Sequence, residues 1–406
     1  MSKVEMAKEN GALQNGTSPK TSLHVIDQRT GKHYDLPISH NAVNASEFQQ
    51  IKAPENHEYY ADQNEQGVRI FDPGFSNTAV STSNVTYVNG PKGFMQYRGY
   101  PIGDIVGRKS FLDTAYLLIW GDWPTANQLR DFETKLINVP LPYQSVFNVI
   151  RSFPPDGSCM GMIIAGLSAL QSTQMPLIPA HAAKNLYLGN SELVDQEIVN
   201  FLGSYVIVVA IVYCHHTGRD FTMPRSDLSY IENFFLMTGH VDSTTKLPNP
   251  KYVDNFERLW ILIANHEMTC STAALLQTAS SLPDVFSCMI SALSALYGPL
   301  HGGAIEVAYK NIKEVGTVEN AQAKIDRVKA GKERLYGYGH RLYKVKDPRS
   351  VFIREIADQL QEEIAEDPLL KVAFEIDRIA SEDEYFTSRK LSLNADLYAA
   401  FAYKAM

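Results

Sequence analysis

Between residues 259 and 349, three histidines and an arginine stand where apolar helical runs break off. At such junctions a scaffold holds a side chain without covering it. His266 lies in Asn265-His266-Glu267, directly after the apolar Trp260-Ile261-Leu262-Ile263-Ala264 and ahead of Cys270-Ser271-Thr272-Ala273-Ala274. His301 follows an apolar run of helical length, 285–297, which Gly298-Pro299 stops because proline cannot continue a helix. Then come Leu300-His301-Gly302-Gly303 and a new helical pattern over 304–310, so His301 is expected at a helix start. Unpaired N–H groups and the positive dipole end disfavour imidazolium there, and a neutral, hydrogen-bond-donating imidazole follows. His340 closes Gly337-Tyr338-Gly339-His340 and opens a cationic turn carrying Arg341 and Lys344. In Asp347-Pro348-Arg349, Asp347 reads as an N-cap and Pro348 as the first helical residue, which puts Arg349 in the first turn. A guanidinium beside free backbone N–H groups makes an anion site suited to a planar carboxylate.

Other chemistries fit less well. Gly337-Tyr338-Gly339 lacks the third glycine and the strand-to-helix setting of a dinucleotide loop, and residues 157–166 lack the Lys-Ser/Thr of a phosphate loop. Cys214-His215-His216 are adjacent, whereas zinc ligands are spaced apart, and no histidine follows His266 at the zinc-protease interval. No metal and no resident cofactor are expected.

The elements around these residues are mostly helical. Alternation on both sides of Thr30-Gly31 suggests a hairpin over 21–38, and a second should turn through Asn89-Gly90-Pro91-Lys92-Gly93 between 85–88 and 94–97. Beyond Ile102 the pattern predicts helices over 111–120, from Thr125 with Gln128 at capping-box spacing, and over 160–170, 197–213, 228–237 and 256–264. Residues 1–20 are polar and read as a mobile tail. With 406 residues, 45% of them hydrophobic, the chain can bury two substantial cores. Its 37 basic and 45 acidic side chains leave a net charge of −8, and no basic run points to nucleic acid. The four cysteines have no paired spacing, which suits reduced thiols inside a cell. The first twenty residues match neither a secretory nor a mitochondrial signal, and the longest apolar run, 205–213, is too short for a bilayer. A soluble intracellular protein, cytoplasmic or peroxisomal, is expected.

The strings Gly298-Pro299-Leu300-His301-Gly302-Gly303-Ala304 and Gly337-Tyr338-Gly339-His340 through Asp347-Pro348-Arg349 resemble two signatures of the citrate synthase family, in that family's order. Phe71-Asp72-Pro73-Gly74-Phe75, Tyr97-Arg98-Gly99-Tyr100-Pro101-Ile102 and Leu228-Ser229-Tyr230 with Glu232-Asn233-Phe234 agree with it, so the resemblance runs from about residue 68 to the end. It implies a mainly α-helical homodimer with short N-terminal β-hairpins. A large domain, 21–302, would be closed over by a smaller one, 303–406. It also implies acyl-CoA and oxaloacetate as substrates. Leu393-Asn394-Ala395-Asp396-Leu397-Tyr398 matches the segment carrying the family's catalytic aspartate.

Condensing a thioester with a ketone needs a base for the α-hydrogen, a donor to the enolate oxygen and groups that hold and polarise the acceptor. By resemblance, Asp396 is the base, His301 donates to the enol oxygen and His340 to the ketone. His266 and Arg349 grip carboxylates, while Arg341 and Lys344 meet coenzyme A phosphates. Several departures bear on the acyl group. Thr269 and Ile305 stand where many members have asparagine, and Ser158-Cys159-Met160 stands where His-Pro-Met is common. Lost amides are lost hydrogen bonds. In the family the chain runs on for several dozen residues past this aspartate and brings further arginines to the carboxylates, whereas this sequence ends at Met406. The expectation is a shortened product or an incomplete carboxylate site. Acetyl-, propionyl- and longer acyl-CoA donors stay open, as does an inactive relative acting as a binding or dimerisation protein.

Overall fold

The computed structural model describes residues 21–54, 67–75, 77–142 and 144–406, so the expected tail over 1–20 lies outside the described residues. Contacts divide the chain into two units, the first ending at Thr82 and the second beginning at Ser83. In the first, strands β1 (Ser22–Asp27) and β2 (Lys32–Ser39) pair antiparallel, with Leu23 opposite Leu36. Their turn closes where the amides of Thr30 and Gly31 both donate to the Asp27 carbonyl, at 3.1 and 2.7 Å. A short β3 (Ala42–Val43) extends the sheet.

The second unit opens with the other expected hairpin, β4 (Thr86–Asn89) and β5 (Phe94–Tyr97), to which β6 (Tyr100–Pro101) adds an edge. Among the described residues every named element after it is a helix. The helix Phe111–Trp120 has the expected bounds, and Ser110 closes a capping box with Asp113. The helix Ala126–Ile137 starts behind the Thr125–Gln128 box read from the sequence. Two helices begin earlier than their apolar patterns: Ser191–Thr217 and Pro250–Ile263 each open with a largely polar turn that periodicity does not register.

The 27-residue helix Ser191–Thr217 is long and apolar enough to cross a bilayer by length and composition. It is a core helix here, with Phe201, Val208, Ala210 and Val212 buried. One continuous core runs from Met95 to Met406. Within it Phe256 of the helix Pro250–Ile263 stacks near Trp260, ring centres 4.9 Å apart, and meets Tyr403 of the last helix, Asp396–Ala405, edge-on at 5.7 Å. The helix that ends beside His266 is thereby packed against the helix that begins at Asp396. The four cysteines are free thiols.

Leu259, on the buried face of Pro250–Ile263, is fully withdrawn from solvent. Leu259→Ala is expected to cost about 2–5 kcal/mol, because the cavity adds to the lost transfer energy. Urea unfolding checks it: the midpoint should fall with little change in slope, and an unchanged midpoint would contradict this packing.

Candidate active site

The hairpin β4–β5 is the frame of the site. Tyr97, buried at the end of β5, sends its hydroxyl to the main chain where the helix Pro250–Ile263 stops: it donates towards the carbonyls of Ile261 (3.0 Å) and Asn265 (3.1 Å) and accepts from the Asn265 amide at 3.3 Å. From β4, Thr86 donates to the Asn265 side-chain oxygen at 2.7 Å, and the Val88 amide donates to the Glu267 carboxylate at 2.7 Å. Glu267 holds a left-handed φ of +60°, uncommon for a residue with a Cβ, and its amide donates to Asn265 Oδ1 at 3.1 Å. His266 is thus clamped between two residues fixed by the hairpin. The same hairpin reaches the cationic turn. Gly90 accepts from the Lys344 amide at 3.3 Å and lies so close to Leu342 that a Cβ there would sit 2.1 Å from the Leu342 carbonyl oxygen. Only glycine fits that approach.

The two loops therefore bring His266 and His340 together, with ring centres 5.1 Å apart. Tyr343, buried beneath both, hydrogen-bonds His266 Nε2 through its hydroxyl at 3.1 Å and lies 4.6 Å from the His340 ring centre. His340 Nδ1 accepts the amides of Leu342 (3.1 Å) and Tyr343 (3.3 Å). A nitrogen that accepts must keep its lone pair, so in neutral His340 the proton is on Nε2.

Arg349 departs from the expected arrangement. The helix starts two residues later, at Ser350, and Arg349 is its N-cap. Asp347 is therefore not the N-cap expected of it: it accepts the Arg349 amide at 2.9 Å in the turn before the helix, and its carboxylate also takes the guanidinium, Nε to Oδ1 at 3.0 Å and Nη2 to Oδ2 at 2.8 Å. An aspartate two residues before an arginine across a proline turn is within reach of its fork. Both side chains are withdrawn from water, 11% and 1% exposed. Nη1 is outside this fork.

Asp396 opens the last helix, its amide held by the Asn394 side chain at 2.9 Å. That segment is laced to the loop before His340: the Gly339 amide donates to the Ser392 carbonyl at 2.8 Å, and the Asn394 amide to the Gly337 carbonyl at 3.0 Å. Asp396 feels the charges of Arg349 and Asp347, which sets it in the same field as the paired rings. His301 is held elsewhere on the loop system. Its Nε2 meets Ser271 Oγ at 2.8 Å, and Ser271 Oγ meets Thr269 Oγ1 at 2.9 Å. Among the described residues no hydrogen bond or ring contact joins His301 to His266, His340 or Asp396. Ser271 is five residues past His266, so at about 3.5 Å per residue the chain separates them by at most ~18 Å. Arg341 and Lys344 are exposed.

Burial sets the charge states. It pushes His266 down to about 4, helped by Arg349 and His340, and pushes His301 and His340 below the ordinary histidine range. For His301 the direction matches the expectation and its cause is desolvation, while the helix expected to start at His301 begins later, at Ala304. Burial raises the Asp396 carboxyl, with Arg349 opposing and Asp347 reinforcing the shift. Tyr97 is raised to about 12. Burial alone would raise Asp347 too, yet Arg349 holds it below the usual carboxylate range. The arrangement supplies neutral donor imidazoles, a cation and a carboxylate of raised proton affinity. His215 and His216 instead hydrogen-bond the carbonyls of Phe153 (2.9 Å) and Pro155 (2.6 Å).

Sequence reasoning missed Tyr97, Tyr343 and Ser271. Tyr97 and Ser271 fall inside stretches already singled out, and Tyr343 is three residues past His340; a tyrosine or serine at such a place was the available signal.

A family model described as "Citrate synthase, C-terminal domain" matches residues 74–406. The citrate synthase-like protein oryE of Aspergillus oryzae is 65% identical over 97% of this chain and 88% of its own. The alkylcitrate synthase phiJ of a fungal species is 36% identical over 94% and 84%. The solved citrate synthase of Thermoplasma acidophilum, in ternary complex with carboxymethyl coenzyme A and oxaloacetate, superposes with a TM-score of 0.70 at 26% identity, covering 81% of this chain and 83% of that one.

The depressed histidines give a direct test. His266 should stay neutral down to about pH 4 in an NMR titration of its ring. The unfolded chain binds that proton near pH 6.5. Proton uptake therefore favours unfolding, and stability should fall as pH drops from about 6.5 to about 4. A folded-state midpoint near 6.5 would refute the burial argument.

Proposed function

The chain belongs to the citrate synthase family, and from that premise we propose that it joins the α-carbon of an acyl-CoA to the ketone carbon of oxaloacetate, then hydrolyses the thioester to release coenzyme A. The coarser statement, a citrate synthase-like condensing enzyme of the acyltransferase class, comes with the family. The observation that carries the finer reading is the company of His340: an Nε2–H donor edge-on to a neutral His266, with the Asp347–Arg349 pair and Asp396 in one field.

In this reading Asp396 takes the α-proton. Its raised proton affinity brings it nearer the working pH, which favours general base catalysis. His301 donates to the enolate oxygen and His340 Nε2 to the ketone oxygen that becomes the hydroxyl. A neutral donor is the right species for each, since it stabilises developing negative charge without first losing its proton to bulk water. His266 and the free Nη1 edge of Arg349 hold oxaloacetate carboxylates, and the exposed Arg341 and Lys344 meet the phosphates of coenzyme A. Residues 303–406, which carry His340, Arg349 and Asp396, act as the smaller domain that closes over the larger one.

One observation favours a donor longer than acetyl. Thr269 spends its hydroxyl on the Thr272 amide (3.3 Å) and on Ser271, and Ile305 offers an apolar side chain packed against the core four residues past His301. By the resemblance to the family, two amides are replaced there by groups with less hydrogen-bonding capacity, which suits a more apolar acyl group. A homodimer is supported by the helix Cys270–Ala279, which buries none of its residues within the chain although it carries Ala273, Ala274, Leu275 and Leu276.

Thiol release from acetyl- through decanoyl-CoA tests the reaction. Oxaloacetate-dependent release with at least one donor is expected, and the absence of any release would favour an inactive relative. Asp396→Ala should lower kcat by on the order of 10³-fold or more while oxaloacetate still binds. Retained turnover would remove Asp396 as the base. For the assembly, sedimentation should give twice the chain mass of 45.4 kDa, and Leu276→Glu should shift it towards the monomer. A parent protein sedimenting at 45.4 kDa would overturn the dimer.

A further inference from the structure

Two tyrosines that flank the proposed machinery converge on one carboxylate outside it. Tyr338 lies two residues before His340, and Tyr398 two residues after Asp396. Their hydroxyls donate to opposite oxygens of Asp377, on the helix Leu369–Glu382: Tyr338 to Oδ1, and Tyr398 to Oδ2 at 2.8 Å. The Tyr338 hydroxyl also lies 3.1 Å from the main-chain oxygen of Asp377.

The backbone explains why such a fixture is needed. Tyr338 stands between Gly337 and Gly339, whose φ values of +86° and +82° are left-handed. Glycine adopts that conformation without cost but does not enforce it. The lacing between 337–339 and 392–394, to which Asn394 adds a side-chain bond to the Gly339 carbonyl at 3.1 Å, joins the two segments to each other. It does not anchor them to the rest of the fold. The phenol of Tyr338 does, since its ring also packs edge-on against Phe386 at 5.9 Å. Tyr398 does the same for the start of the last helix, buried under Phe374 with ring centres 5.6 Å apart. Burial, then the Asp377 charge, raises both phenols above the ordinary tyrosine range, so both stay donors throughout the working pH.

We propose that Asp377 is a positioning residue, a carboxylate clasp that fixes His340 relative to Asp396 through Tyr338 and Tyr398. The inference rests on the reaction assigned above. Asp377 acts through the phenols that its two oxygens hold. A clasp acts on the geometry of a donor and a base that must reach adjacent atoms, so loosening it lowers the rate of the chemical step more than it weakens binding.

The full chain is compared with Asp377→Ala, Tyr338→Phe and Tyr398→Phe, and with Leu259→Ala as a control that destabilises the core without touching the clasp. Each is assayed at a temperature where all remain folded. Tyr338→Phe and Tyr398→Phe should each lower kcat by on the order of 10-fold, with KM for the acyl-CoA changing less than about 3-fold. The double variant should fall short of the product of the two, as expected for residues acting as one unit. Nitrogen NMR of the His340 ring supplies a readout independent of turnover: its Nδ1 and Nε2 signals should shift or broaden in Tyr338→Phe and Asp377→Ala but not in Leu259→Ala. Unaltered His340 signals in Tyr338→Phe would overturn the clasp, whatever Asp377→Ala does to folding. So would a Leu259→Ala control that reproduces the kinetic losses. A parent enzyme with no oxaloacetate-dependent thiol release would sink the reaction instead, and the His340 signals would still decide the clasp.

Discussion

A guanidinium and a carboxylate, both withdrawn from water and joined by two parallel hydrogen bonds, form the fixed point of the site. Burying either alone would be costly, and together they are stable only while the geometry keeps both satisfied. Asp347 and Arg349 achieve this within a single proline turn, with little chain to order. Their field then enters the proton affinities of Tyr97, His266, His340, Tyr343 and Asp396. The pair is less a ready-made anion receptor than a charged keystone with one guanidinium edge to spare.

Around that keystone the fold removes water, and desolvation is the largest influence on every group of the cluster. It acts in opposite directions on opposite charge types, lowering imidazoles and raising the carboxyl. One physical cause therefore keeps the imidazoles neutral and raises the proton affinity of the carboxyl. Histidines that stay neutral can donate without carrying charge of their own, and a carboxylate that binds protons more readily can abstract one. The hairpin β4–β5 makes this arrangement durable, because it is bonded at once to the loop carrying His266 and to the turn carrying His340.

Much of this was legible beforehand. Both hairpins fell where turn residues and alternation put them, and the helices behind Ser110 and Thr125 began where side-chain caps satisfied free amides. Helix starts at Ser191 and Pro250 were missed by several residues, since a polar first turn carries no apolar period. Ser229 pulled another start inwards to Tyr230 by capping it. Among the candidate site residues, His266, His301, His340 and Arg349 stand out in the string through the breaks that surround them. Asp396 does not: an aspartate at a helix start looks like any other cap, and only its resemblance to a family segment singles it out.

What the sequence determined by itself is local: turn chemistry at Gly90 and Gly298, caps, helical periods, and a proline turn with an acid and a base in reach of each other. These depend on neighbours within a few residues, so they can be read from the string. The tertiary structure decided which distant residues meet. It joined Tyr97 to Asn265, Tyr343 to His266, Ser271 to His301 and Asp377 to two tyrosines. Charge state was decided there as well, because desolvation depends on everything packed around a group and not on the residues beside it in the chain.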